Sequence, residues 1–177
     1  MDKETTITSA EIEMPAYLKA VYKREGLALF LKILSHISTL VTVAAFGYVL
    51  VANALVDILI PIRLAVVTLV PFVGVSVFRH LLGAPRPLEL YDMSSLGERA
   101  PKKRGKSFPS RHVFSAFVIG SALCFVQPIL GAVVLFFGIT LGACRVLLGY
   151  HFLRDVVAGG LIGIVCGVIG MLIVNIG

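Results

Sequence analysis

The chain reads as all-α, a multi-pass membrane helical bundle of about five transmembrane helices preceded by an N-terminal interfacial helix. Three observations carry this expectation. Hydrophobic residues make up 58% of the 177 positions and charged residues only 15%. Mean hydropathy is +0.95, whereas a soluble domain is nearer half apolar and a quarter charged. The apolar residues also fall into long runs free of Asp, Glu, Lys and Arg, the signal of segments that cross a hydrocarbon layer. These figures exclude a water-soluble globule, a disordered tail and a disulfide scaffold. One domain over 1–177 is expected at this length.

The elements follow in order. The first 26 residues carry mixed charge and lack the apolar stretch and small-residue cleavage site of a signal peptide. Residues 1–27 are the N-terminal segment, and within 8–26 the pattern predicts an interfacial helix. Thr8-Ser9-Ala10-Glu11 has the form of a capping box. Ile12, Ala16, Val21 and Tyr22 share a face, while Lys19, Lys23 and Arg24 reach toward headgroups. Residues 33–56 make the first span. Residues 58–78 make the second, with Arg63 near its start. Residues 113–144 run 32 positions without a charged side chain, too long for one untilted crossing. Gln127-Pro128 divides that run into spans over about 112–127 and 129–148, because proline lacks an N–H and restricts the residue before it. Residues 156–177 make the fifth.

Glycines in the last two spans (Gly131, Gly138 and Gly142, then Gly159, Gly163, Gly167 and Gly170) recur mostly at three, four or seven, the spacing that lets helix backbones approach closely in lipid. Cys124, Cys144 and Cys166 lie in or at the end of apolar runs and read as small packing residues. No CxxC pair points to zinc. Lys32 and His36 sit where side chains snorkel to the interface. His80 receives no role. Residues 82–108 form a basic connection holding Arg86, Arg99, Lys102, Lys103, Arg104 and Lys106. It is either a solvated loop beside anionic lipid or a guide for an anionic substrate.

This topology places the end of span two, the start of span three, the end of span four and the start of span five at one rim. Three polar clusters fall there: residues 79–87 with Arg79 and Arg86, residues 108–112 with Ser110, Arg111 and His112, and Arg145 followed by His151 and Asp155. Singly, each has a plain reading as a membrane-edge turn, a helix cap or a headgroup contact. Together they form a chemical set. Arg79, Arg86 and Arg145 are permanent cations whose planar forks fit phosphate oxygens. Ser110 and nearby backbone N–H groups add donors at a helix start. His151 and Asp155, four apart, share a helical face. A carboxylate there holds one imidazole N–H and leaves the other nitrogen as nucleophile. His112, from another helix, is placed to protonate a leaving oxygen. Phosphoryl transfer needs mostly positioning and charge neutralisation. Three arginines supply that, and Glu89, Asp92, Glu98 and Asp155 show no metal-ligand spacing. The residues therefore point to metal-independent phosphate-ester cleavage through a phosphohistidine, with no cofactor.

The three clusters resemble the tripartite signature of type 2 phosphatidic acid phosphatases, the PAP2 superfamily. That pattern is K-x6-RP, PSGH and SR-x5-H-x3-D. Here it reads Arg79-x6-Arg86-Pro87, Pro109-Ser110-Arg111-His112 and Cys144-Arg145-x5-His151-x3-Asp155. The resemblance implies His151 as nucleophile, Asp155 as its orienting partner and His112 as general acid. It implies phosphate binding by Arg79, Arg86, Ser110 and Arg145, and a helical core like that of soluble acid phosphatases and vanadium haloperoxidases. Membrane members of the family act, usually without metal, on lipid phosphates and isoprenoid diphosphates. Three positions depart from the pattern. Arg79 stands for lysine and keeps the charge. Arg111 stands for glycine; it either crowds a backbone N–H aimed at phosphate or adds a fourth phosphate-binding cation. Cys144 stands for serine and removes a hydroxyl.

The expected substrate is a lipid phosphate or isoprenoid diphosphate in a cell membrane, a bacterial plasma membrane by resemblance; nucleic acid is not an expected partner. The active rim and N-terminal segment hold 15 of the 16 Lys and Arg, against Arg63 alone at the other rim. Setting aside Arg79, Arg86, Arg111 and Arg145 still leaves 11 against one. Cytoplasmic segments normally carry this excess, so the count places the active face in the cytoplasm, while the resemblance implies the periplasm or exterior. Two other functions compete with lipid phosphatase. One is a non-catalytic binder of anionic lipid, against which the intact His112, His151 and Asp155 argue. The other is a transporter, against which the scarcity of charge within the spans argues.

Overall fold

The computed structural model describes residues 14–91 and 105–176, with side chains described as far as 174. It contains seven helices among the described residues: α1 (Ala16–Lys23), α2 (Glu25–Ala54), α3 (Leu59–Leu82), α4 (Pro87–Leu90), α5 (Arg111–Leu123), α6 (Pro128–Leu147) and α7 (Leu153–Ile176). Four stretches are long and apolar enough to cross a membrane: Glu25–Ala54, Leu59–Leu90, Pro128–Leu147 and Leu153–Val174. Their outer faces expose large apolar side chains such as Leu40, Val51, Val70, Phe136 and Ile173. Water would penalise that surface, and lipid accepts it. On α2, Ser38 donates to the Leu34 carbonyl at 2.8 Å and Thr42 to the Ser38 carbonyl at 2.9 Å, so these hydroxyls are partnered along their own helix.

The third expected span differs. α5 has 13 residues, about 20 Å of helix at 1.5 Å per residue, short of the ~30 Å hydrocarbon thickness. Its Val113, Phe114, Ala116, Val118, Ala122 and Leu123 are all buried. α5 is the bundle's central post, packed chiefly on α7 and α6, and a helix surrounded by protein has no lipid thickness to match. It still runs between the two rims: Ser110 heads it, and Phe125 just beyond its end shares a cavity with Asn53, Ile60 and Arg63 at the opposite rim. Pro128 then occupies the first position of α6, where its missing N–H costs nothing.

Glycines on α7 make the central packing possible. A Cβ on Gly159 would stand 2.7 Å from the Ser110 carbonyl oxygen, on Gly163 2.8 Å from that of Phe114, and on Gly167 2.8 Å from that of Val118. Every fourth residue of α7 thus lies on every fourth residue of α5, backbone to backbone. The expected close approach is present and has a definite partner.

α1 also departs from the expectation. Residues 8–11 and Ile12 lie outside the described residues, and Ala16 is exposed. Leu18, Val21 and Tyr22 bury against Ala28, Leu31, Leu88, Cys144 and Leu148. The apolar face of this helix docks on protein. The Tyr22 hydroxyl donates to the Leu148 carbonyl at 3.0 Å.

Candidate active site

Four chain segments converge at the rim where α3 and α6 end and α5 and α7 begin. α3 stops because Gly83 takes a left-handed conformation at φ 59°, which glycine adopts without a Cβ penalty. This ending delivers Arg79 in the last turn, only 7% exposed. Its guanidinium donates from Nη1 to the Pro109 carbonyl at 2.5 Å and from Nη2 to the Lys106 carbonyl. Arg79 therefore fastens the loop that precedes α5, with two of its five N–H donors so engaged.

That loop carries Ser107, which the sequence patterns did not single out. The Ser107 amide donates to the Ala84 carbonyl at 2.8 Å, and its hydroxyl donates to Oδ2 of Asp155 at 2.5 Å. The same Oγ lies 3.4 Å from Nδ1 of His151, and Nδ1 is 3.7 Å from Asp155 Oδ2. The Phe152 amide adds a 3.1 Å bond to that oxygen. His151 and Asp155 are both buried. With the Ser107 proton committed to Asp155, Ser107 Oγ and Asp155 Oδ2 are both acceptors facing Nδ1. These neighbours assign the ring proton to Nδ1 and leave the Nε2 lone pair unprotonated. Burial pushes the His151 pKa below its ordinary 6.5, with Arg79 and Arg86 acting the same way against the opposing effect of Asp155. The ring is neutral at pH 7.

A tight turn sets His151 beside Arg145. The Arg145 carbonyl accepts the amides of Tyr150 at 3.0 Å and His151 at 3.2 Å, and the Tyr150 ring lies 5.5 Å from the Arg145 guanidinium. Gly149 makes the turn at φ 69°. Its carbonyl accepts the Leu88 amide at 3.2 Å, which ties α4 to the turn. Arg86, just before α4, has Nε 4.0 Å from Glu89 Oε1, and Glu89 Oε2 accepts the Gly105 amide at 2.8 Å.

Ser110 is fully buried. Its amide donates to the Asp155 carbonyl at 2.8 Å, pinning the start of α5 to the start of α7. The Ser110 amide is thus already used, while the Ser110 hydroxyl has no hydrogen-bond partner among the described residues. His112 lies within electrostatic reach of Arg145, Arg111, His151 and Arg79. Arg111 turns outward, its guanidinium 5.7 Å from the Phe72 ring, so it adds charge and leaves the backbone uncrowded. Cys144 points away into the apolar cluster beneath α1, so replacing serine there removes no hydroxyl from the site.

All eight residues singled out in the sequence, Arg79, Arg86, Ser110, Arg111, His112, Arg145, His151 and Asp155, therefore meet at one rim. The residues the sequence left unmarked are those that hold them: Ser107, Glu89, Tyr22 and Phe72. Ser107 adjoins a marked cluster, which is the one signal that would have pointed to it.

A lipid-facing helical bundle whose rim gathers arginines around a buried histidine–carboxylate pair is the frame of an integral-membrane phosphatase. The comparisons agree with that frame. The PAP2 superfamily profile matches residues 60–176. The fold is similar to that in the crystal structure of Aquifex aeolicus LpxE, with TM-score 0.66 and 21% identity, over 88% of this chain and 92% of that one. No curated protein matches the sequence. The chain belongs to the PAP2 superfamily: it is a membrane phosphatase that hydrolyses phosphate esters.

Proposed function

We propose that this phosphatase hydrolyses the phosphate monoester or diphosphate of a membrane lipid through a phosphohistidine. Phosphatidic acid, phosphatidylglycerol phosphate and undecaprenyl or other polyprenyl diphosphates are the candidate classes. The observation that carries the reading is the buried His151, whose Nδ1 faces Asp155 and Ser107 while its neutral ring keeps Nε2 for attack. Arg86, Arg145, the open Ser110 hydroxyl and the remaining donors of Arg79 take the phosphate oxygens. In the first step a bond forms between Nε2 and phosphorus, and the bond to the leaving oxygen breaks. The electron pair goes to that oxygen, which His112 protonates where it leaves as an alkoxide. Water then attacks phosphorus, its proton passing to His112 or to bulk solvent, and the Nε2–phosphorus bond breaks with the electron pair returning to Nε2 as phosphate leaves. The guanidinium groups neutralise charge on the equatorial oxygens, so no step calls for a metal.

Purified protein in neutral detergent with EDTA, given a panel of lipid phosphates, should release phosphate, and His151→Ala should abolish release. Turnover that survives in His151→Ala would remove the phosphohistidine, and binding without turnover by the unaltered chain would favour an anionic-lipid binder. The family resemblance supports a bacterial plasma membrane protein, and the charge count an active rim in the cytoplasm. Lys103→Cys in intact cells tests this: an impermeant thiol reagent should not modify it beyond the unsubstituted chain, and ready modification rejects the orientation.

A further inference from the structure

The side chain that breaks the family pattern lines a cavity that it shares with His112. Arg111 lines a cavity of about 300 Å³ together with His112, Thr39 and Thr42 of α2 and Phe72 of α3. Among the described residues no carboxylate pairs with Arg111. Its charged neighbours are like-charged or neutral: Arg79 and His112 lie within its electrostatic field. The Phe72 face holds the guanidinium at 5.7 Å, a contact that fixes a cation without neutralising it. A permanent cation held beside other cations, lining a partly polar cavity, favours an anion there.

Its location relative to the chemistry gives that anion an identity. This step rests on the phosphohistidine reading. In an in-line displacement the leaving group departs opposite the nucleophile. Ser107 and Asp155 close the His151 end, and the cavity opens beside His112, the group that meets the leaving oxygen. A leaving oxygen that meets His112 therefore lies beside the cavity that Arg111 also lines. We propose that Arg111 seats the leaving phosphate of a lipid diphosphate and so selects diphosphates over monophosphates. As His151 Nε2 bonds to the terminal phosphorus, the bond from that phosphorus to the bridging oxygen breaks. The electron pair stays on the bridging oxygen, which leaves as part of a lipid monophosphate bearing one more negative charge. A guanidinium stabilises that charge directly. A monoester instead expels an alkoxide, which needs a proton that Arg111 does not supply.

Farnesyl diphosphate and farnesyl phosphate, identical in tail, are the probes, assayed with full-length protein in neutral detergent. The unaltered chain should favour the diphosphate. Arg111→Gly should lower the ratio of the two kcat/KM values by about tenfold or more, the effect of one lost charge-assisted contact. Arg111→Lys should keep part of the ratio. Should the glycine variant fail to fold, Arg111→Gln carries the same expectation. A ratio that does not move, with His151→Ala inactive, overturns the Arg111 assignment alone; activity in His151→Ala overturns the mechanism beneath it. Loss on both probes in equal measure, restored by adding anionic lipid to the micelle, would make Arg111 a headgroup anchor and reject the proposal.

Discussion

Ser107 donates a 2.5 Å hydrogen bond to Oδ2 of Asp155 across 48 residues of chain. The bond joins the loop before α5 to the first turn of α7, so one contact both orients the carboxylate and locks the approach to the helix that carries the proposed acid onto the helix that follows the nucleophile's turn. Ser107→Ala should lower kcat by about 10- to 100-fold, the range of one lost hydrogen bond to a charged group. KM should change little, because the arginines are untouched. Ser107→Thr, which restores the hydroxyl, should recover part of the rate. A fall in KM-linked terms alone would show that Ser107 shapes substrate binding instead.

The neutral state of His151 sets a pH dependence. Its pKa is lowered, chiefly by burial, so the unprotonated nucleophile persists as pH falls through the ordinary histidine value of 6.5. The sign follows for the nucleophile's limb: as pH falls, loss of unprotonated His151 should not lower kcat/KM until below 6.5, and should then cost about tenfold per unit beneath the shifted pKa. A rate that halves at pH 6.5 or above would mean the ring titrates as an exposed histidine and the buried geometry is absent in solution. Charge-removing changes at Arg86 should move the acid limb to higher pH, since that cation opposes protonation of the ring.

Gly159 has no room for a methyl group. Its Cβ would stand 2.7 Å from the Ser110 carbonyl oxygen, and backbone cannot step aside as a flexible side chain does. Gly159→Ala should push the head of α5 off α7 and strain the Ser110 amide bond to the Asp155 carbonyl. The expected cost is about 1–3 kcal/mol in stability and roughly 100-fold in activity, because misplacement by an ångström suffices at a reacting centre. Thermal unfolding and initial rates measure the two. Gly74, whose Cβ meets nothing within 4 Å, is the control, and Gly74→Ala should leave both close to unchanged.

The sequence made the membrane bundle and the meeting of the three clusters legible because charge-free runs and their breaks fix topology, and topology fixes which ends share a rim. It did not reveal that α5 is short and enclosed, since an apolar run reads alike whether it faces lipid or protein. Nor did it show how Arg79 is used. A cation at a helix end reads as a phosphate ligand until the carbonyls of Lys106 and Pro109 are seen to engage it. Ser107 lay in a loop without periodicity, where no pattern reports a contact 48 residues away. Cys144 read as a lost hydroxyl because a motif aligns positions and says nothing of where a side chain points.

Tyr22 ties the N-terminal helix to the chemistry at a distance. Its hydroxyl donates to the Leu148 carbonyl, one residue before the glycine turn that leads to His151, and the same turn accepts the Leu88 amide from the helix that follows Arg86. Docking of α1 thus holds Arg86, Arg145 and His151 in register without touching any of them. Tyr22→Phe keeps the ring and removes the bond, so it should cost about 1 kcal/mol in stability. Activity should fall several-fold through kcat and KM together, since nucleophile and phosphate ligands shift as one. If α1 were merely a lipid-facing anchor, Tyr22→Phe would leave stability in detergent and both kinetic constants where they were.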